Sequence, residues 1–277
     1  MTQHRVACYQ FAPIIAEPGL NLAIALDAME HAAGQGAKLL VLPELALSGY
    51  LFRDRLEALG CAETRDSERL ELLAAQARKL DLIVVAGFCE RLPGEQVANS
   101  CVLIQPDGRR TFYRKAHLWD GECLIFTAGD APPPVVQTAL GRIGMMICYD
   151  LEFPEWVRLP ALAGAQLLCA PVNWPNTPHP AGQPPAEVTR VQANAAVNRM
   201  YLLACDRCGH ERGVDWVGGS TITDANGYLL AGGERLDAPQ LLLADLSLRQ
   251  ADDKRISLHN DVLADRRPSL YAAVCAP

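Results

Sequence analysis

The chain has 277 residues, half of them hydrophobic, enough to bury one large core. A formal charge of −7 and scattered Lys and Arg leave no basic face for a phosphate backbone, which excludes nucleic acid as an expected partner. No stretch reaches the roughly 18 apolar residues of a membrane span and the N-terminus lacks a signal-like run, so a cytoplasmic protein with ten reduced thiols is expected rather than a disulfide scaffold.

Along the chain, short apolar runs bounded by turn residues alternate with segments of helical periodicity, the signature of an α/β protein. Strands are predicted at 6–9, 39–42, 82–88, 101–104, 111–113, 143–147, 167–170, 201–205, 221–223 and 241–244, and helices at 21–33, 65–79, 154–163 and 187–198. The Pro-rich stretches 131–134 and 175–185 read as loops. One domain spanning 1–277 is expected.

The two halves echo one another. AKLLVLPEL from Ala37 resembles AQLLCAPVN from Ala165, and DLIVVAGFCER from Asp81 lines up with MYLLACDRCGHER from Met200. NSCVLIQPDGRR from Asn99 matches GSTITDANGYLL from Gly219, each with a hairpin dipeptide, Asp-Gly or Asn-Gly. A repeated strand–helix–strand–hairpin unit implies two like sheets facing each other with helices outside, a four-layer α-β-β-α sandwich with an internal pseudo-twofold.

Three stretches put reactive side chains where predicted strands end, the usual place for an α/β site. In MMICYDLEFPE, a strand that stops on Cys148 and turns into a helix lifts the sulfur out of the core and aims N–H groups such as that of Tyr149 at whatever it attacks. A thiol of ordinary pKa near 8.5 needs an activator. Glu44, after Pro43 at the end of an apolar run, is expected in a desolvated place with a raised pKa, able to take the thiol proton and later activate water. Lys115, in YRKAH, can stabilise a thiolate and the oxyanion that follows, and Glu122 can hold Lys115 or assist proton transfer. Singly, each of these residues has a bland reading as a rim charge or a core thiol.

Together the segments PE…GY, YRK.HL and CYD..FPE resemble the Glu-Lys-Cys motifs of the nitrilase superfamily, the carbon–nitrogen hydrolases, and VACYQFAP and RRPSLY extend the resemblance toward both ends of the chain. It implies the same α-β-β-α sandwich, with Cys148 as nucleophile, Glu44 as general base, Lys115 as oxyanion stabiliser and Glu122 as the second, positioning glutamate. The loop AHLWDG offers few anchors for the last assignment, and Asp120 is the neighbouring acidic alternative. The implied activity is hydrolysis of a small linear amide through a thioester without a cofactor. A nitrile, by way of a thioimidate, or an N-carbamoyl compound are the alternatives. Homodimers or larger assemblies, paired across the helices beside the cysteine turn, are implied in the same way.

By the internal symmetry, Asn173 and Trp174 occupy the place that Glu44 holds in the first half and are read, with Tyr50 and Tyr149, as substrate-binding. Loops 51–63 and 176–186 are read as the pocket mouth, and Asp150, Glu155 and Arg158 as capping and pairing around the helix after the cysteine. Cys205 and Cys208 have redox or zinc spacing but no partner pair, with His210 alone beside them, so no metal is expected. A papain-like pairing of Cys148 with His117 lacks the surrounding sequence. A binding protein without turnover is disfavoured by the intact triad, and no nucleotide fingerprint follows a strand.

Overall fold

The computed structural model describes residues 3–178, 180 and 182–275. The first half runs β1 (His4–Gln10), α1 (Pro18–Gly34), β2 (Leu39–Val41), α2 (Arg55–Cys61), α3 (Glu68–Leu80), β3 (Ile83–Leu92), β4 (Gln96–Ile104), β5 (Arg110–Arg114) and α4 (Glu122–Ile125). Next come β6 (Val135–Gln137), β7 (Arg142–Met145), α5 (Pro154–Leu162), β8 (Leu167–Pro171), α6 (Ala186–Asn198) and β9 (Tyr201–Cys205). The chain continues through β10 (His210–Glu211), β11 (Val214–Asp215), β12 (Thr221–Thr223), β13 (Leu229–Gly232) and β14 (Gln240–Leu246).

Two six-stranded sheets form, ordered β14-β1-β2-β3-β4-β5 and β13-β12-β9-β8-β7-β6. In the first, β1, β2 and β3 pair in parallel and β4 and β5 follow antiparallel. In the second, β7, β8 and β9 pair in parallel and β12 and β13 follow antiparallel. The echo read from the sequence is therefore a structural pseudo-twofold, with Asp107-Gly108 and Asn226-Gly227 turning the corresponding hairpins. It also has a swap in which each half lends its last strand to the other: β6 closes antiparallel on β7, and β14 crosses back to close on β1.

Period-two alternation explains why the strands look continuously apolar, because both faces of each sheet are covered. Val6, Cys8, Leu39, Val41, Ile83 and Val85 point to the second sheet and pack in one core with Ile143, Met145, Leu167 and Cys169. Their neighbours Ala7, Leu40, Leu42, Val84 and Ala86 point outward against Leu22, Ala25 and Met29 of α1 and Leu70 and Leu73 of α3. Val157 and Ala161 of α5 and Val188 and Val191 of α6 cover the second sheet. Burial of each Leu or Val contributes roughly 1.5–3 kcal/mol, so polar groups carried into this interior require partners.

The predicted elements are present with shifted ends. Helix α1 starts at Pro18, before the expected 21, because a proline fits the first turn where no N–H partner is needed. Helix α3 starts at Glu68 rather than 65, since the Ser67 hydroxyl accepts from the Leu70 N–H, and it stops where Asp81 turns left-handed at φ 50°. The strand expected at 143–147 ends at Met145, and Cys148–Glu152 form a 3₁₀ turn before α5 begins at Pro154. The cysteine therefore sits on a turn one step removed from the helix. Residues 51–63, expected as a loop, contain α2, and loop 176–186 falls in part on His179 and Ala181, outside the described residues.

Candidate active site

Three segments that are distant in sequence meet at the ends of the central strands. The first leaves β2 through Pro43, places Glu44 fully inside, and bends at Leu45, whose φ of 48° lies in the left-handed region. That bend rests on β3 at Gly87. A Cβ there would lie 2.4 Å from the Leu45 nitrogen, 2.6 Å from the Pro43 oxygen and 2.7 Å from the Glu44 Cα, so only glycine allows this approach.

The second segment follows β5. Lys115 is fully buried, and its Nζ donates at 2.7 Å to Oε1 of Glu44 and at 2.7 Å to Oε1 of Glu122. Glu122 opens α4 and is held from its other oxygen by the Trp119 N–H at 2.8 Å. Asp120, the alternative second acid, is exposed. A fourth group, which the sequence reading missed, completes the cluster: Asn99 Nδ2 donates to Glu44 Oε1 at 2.7 Å and to Glu122 Oε1 at 3.1 Å. The backbone explains its position, because Asn99 accepts the Lys115 N–H at 2.9 Å, one step beyond the Ser100–Arg114 pair. A polar Asn in the apolar run ANSCVLI was the only sequence signal for it.

The third segment carries Cys148 at a φ of 44°, a strained conformation for a non-glycine residue that costs about 1–3 kcal/mol and needs support from its surroundings. Asp150 supplies that support. Its buried carboxylate accepts from the Ile147 N–H at 3.0 Å, the Tyr113 hydroxyl at 2.7 Å and the His117 N–H at 3.1 Å, and it faces His117 Nδ1 at 2.7 Å. The turn bearing the sulfur is thus fastened to the strand end bearing Lys115. His117 is turned to Asp150 and stacked on Phe153, with ring centroids 3.9 Å apart, which leaves the papain-like pairing without geometry. Glu155 and Arg158, expected to pair around the helix, form no ion pair among the described residues.

The half-buried thiol of Cys148 donates to the Asn173 carbonyl oxygen at 3.6 Å and opens into a cavity of about 180 Å³. Tyr50, Trp119, Tyr149, Asn173, Trp174, Glu152 and Glu187 are among its walls. All four residues read as substrate-binding therefore line it. The volume is below the usual 300–1,000 Å³ of a ligand cleft, which suits a small molecule. Asn173 also joins the pseudo-symmetric halves, its Nδ2 donating to the Glu44 carbonyl oxygen at 3.0 Å.

Burial raises the Glu44 carboxyl to about 7; Lys115 and Asn99 oppose the rise and Glu122 adds to it. Lys115 keeps its proton well above the usual range: burial works against the charge, but Glu44 and Glu122 outweigh it. The Cys148 thiol is pushed well up, first by burial and then by Glu44, with Lys115 opposing. Of the two activators read from the sequence, this favours Glu44 as acceptor of the thiol proton over an ammonium that holds a thiolate. Lys115 directs its two hydrogen bonds to carboxylates, so the resting sulfur is protonated and Glu44 is poised to receive that proton near neutral pH. Oε2 of Glu44 has no partner among the described residues. The arrangement thus offers a nucleophile, a base of matched pKa and a fixed cation beside a small cavity, the equipment for acyl transfer.

Comparison with known proteins agrees. The family model described as Carbon-nitrogen hydrolase matches residues 5–255. The chain belongs to the carbon–nitrogen hydrolase family. This hydrolase is 34% identical over 268 residues to a protein named nitrilase from Pyrococcus abyssi, covering 96% of this chain and 98% of the relative. It is 32% identical to an (R)-stereoselective amidase from Pseudomonas sp, covering 95% and 91%. Among solved structures, an amidase from Nesterenkonia sp. superposes with a TM-score of 0.80 at 28% identity, covering 98% of this hydrolase and 96% of that chain. A variant of the Nesterenkonia sp. AN1 amidase carries the acetamide moiety of fluoroacetamide covalently on its active-site cysteine. Two six-stranded sheets flanked by helices are common to that fold and this one.

The CDRC stretch takes no part in the cavity. Cys205 ends β9 with its thiol donating to the Tyr9 carbonyl at 3.4 Å, and Cys208 is buried. The walls include three further residues that the sequence reading did not single out, Trp119, Glu152 and Glu187. Nothing in their local patterns separates them from ordinary surface helix and loop positions.

Proposed function

We propose that this hydrolase converts a small linear amide to a carboxylic acid and ammonia, with Cys148 as nucleophile, Glu44 as general base and acid, Lys115 as oxyanion stabiliser and Glu122 as the residue that positions Lys115. The observation that carries this reading is the Lys115 ammonium shared between two buried carboxylates behind a small cavity that ends at Cys148. The covalent cysteine adduct of the Nesterenkonia amidase supports the same chemistry here.

As the substrate settles, the Cys148 proton passes to Glu44 and the sulfur attacks the amide carbonyl. The oxyanion is met by the remaining N–H of Lys115 and by the Tyr149 N–H. Glu44 returns its proton to the nitrogen, the carbon–nitrogen bond breaks, and ammonia leaves a thioester. Water then gives a proton to Glu44 and attacks the thioester carbonyl. Collapse of that second intermediate releases the acid and restores the thiol, with the proton coming back from Glu44. Tyr50, Tyr149, Asn173 and Trp174 hold the substrate.

The test is ammonia release from a panel of aliphatic amides, nitriles and N-carbamoyl compounds, with Cys148→Ala as control. Amide turnover abolished by that substitution is the expected result, and turnover that survives it would remove the mechanism. Nitrile turnover exceeding amide turnover would favour the thioimidate route, for which the nitrilase relative is the precedent. The reading extends to one catalytic unit spanning the chain. It also extends to a cytoplasmic setting, supported by free thiols such as the exposed Cys123, and to a homodimer formed across α5 and α6, where Leu159, Leu162 and Val197 stay exposed. Light scattering after gel filtration measures the assembly state.

A further inference from the structure

The cavity walls are chemically one-sided. Glu152 and Glu187 stand among them with Tyr50, Trp119, Tyr149 and Trp174, and among the described residues no Lys or Arg lines the cavity. Arg190 of α6 pairs with Glu152 at 2.8 Å and offsets that charge, while Glu187, one turn earlier on the same helix, has no ion-pair partner among the described residues. Lys115, the nearest cation to the reacting centre, is held between two carboxylates. The mouth therefore keeps an excess negative charge. A second feature points the same way: Asn173, 2% exposed and part of the wall, has an Oδ1 with no hydrogen-bond partner among the described residues. It is a buried acceptor in need of a donor.

Building on the amidase reading, we infer that Glu152 and Glu187 set specificity by favouring amides whose far end carries an ammonium group and rejecting those that end in a carboxylate. Aromatic faces around a cavity accept a cation, and carboxylates at its mouth add charge complementarity. A carboxylate-bearing amide would meet like charge with no basic side chain to receive it. This separates the chain from any enzyme built for the monoamide of a dicarboxylic acid, although the same catalytic groups could serve both.

The experiment compares 4-aminobutanamide, butanamide and succinamate, three primary amides on the same four-carbon chain whose far ends are cationic, neutral and anionic. The cation should exceed the anion in kcat/KM by about tenfold or more, chiefly through KM. The gap should narrow as salt is raised beyond about 0.1 M, where screening acts within about 10 Å. Glu187→Gln and Glu152→Gln should each narrow it, and Glu187→Lys should reverse it. Succinamate matching or exceeding the amine, or a preference untouched by both Gln substitutions, overturns the inference. Titration calorimetry of the same three compounds on the Cys148→Ser variant decides the matter without turnover. If the wild type cleaves none of them, the amidase reading fails, and the order of binding still supports or overturns the specificity.

Discussion

Gly87 offers a test of how closely the site depends on backbone contact. It lies in β3, lines no part of the cavity, and its φ is one any residue can adopt, so Gly87→Ala changes only what the new Cβ touches. That atom would sit 2.4–2.7 Å from Leu45, Pro43 and Glu44 backbone atoms. Ordinary contact begins near 3.4 Å, so the Glu44 segment must retreat by roughly 1 Å, a displacement that costs about 10²-fold when it falls on a reacting group. Overpacking adds about 1–3 kcal/mol of destabilisation. The assay is kcat/KM by ammonia release, run with thermal unfolding and circular dichroism to confirm that the variant is folded at the assay temperature. A folded Gly87→Ala protein with activity within threefold of wild type would refute the claim that this contact fixes Glu44.

The remaining expectations concern charge. Because Glu44 is raised to about 7 and must be ionised to accept the thiol proton, kcat/KM should climb as pH rises through about 7 and fall away below it. Asn99→Leu removes a donor that favours the ionised carboxylate, so the same profile should move to higher pH; an unmoved midpoint would deny Asn99 this role. Lys115→Met leaves two buried carboxylates facing each other, and urea unfolding should register a loss of about 3–5 kcal/mol. That loss should deepen as pH rises above about 7, where Glu44 of the wild type ionises beside Lys115 while the folded variant keeps a proton that its unfolded chain has released. Cys123 is exposed whereas Cys148 is half-buried with a raised pKa, so brief treatment with a neutral, non-amide alkylator should label Cys123 first by mass spectrometry. Faster labelling of Cys148 would mean a preformed thiolate.

What the sequence made legible was the part encoded locally. The runs ending at Glu44, Lys115 and Cys148, the repeated hairpin dipeptides and the strand periodicity all sit within a few residues of what they specify. Asn99, Asp150 and Gly87 were silent or partly read because their roles exist only across the sheet or between segments. Asp150 looks like a helix cap and does cap, but its ties to Tyr113 and His117 depend on β5 lying beside the turn. The resting state of the thiol stayed open for a similar reason. A lysine near a cysteine suggests an ammonium–thiolate pair until two glutamates are seen to occupy the ammonium. Glu152 and Glu187 belong to different elements, and only the fold shows them facing one cavity.

The swap that sends β14 back to β1 bears on how the protein is made. All seven residues of β1 pair with β14, and the Arg5–Asp245 ion pair fastens the same seam. During synthesis at about 5–20 residues per second, that outer margin of the first sheet waits roughly 10–50 s for its partner to leave the ribosome. An unpaired strand invites association with other chains, so a nascent protein interrupted before residue 240 would be an aggregation hazard even with Glu44, Lys115 and Cys148 already in place.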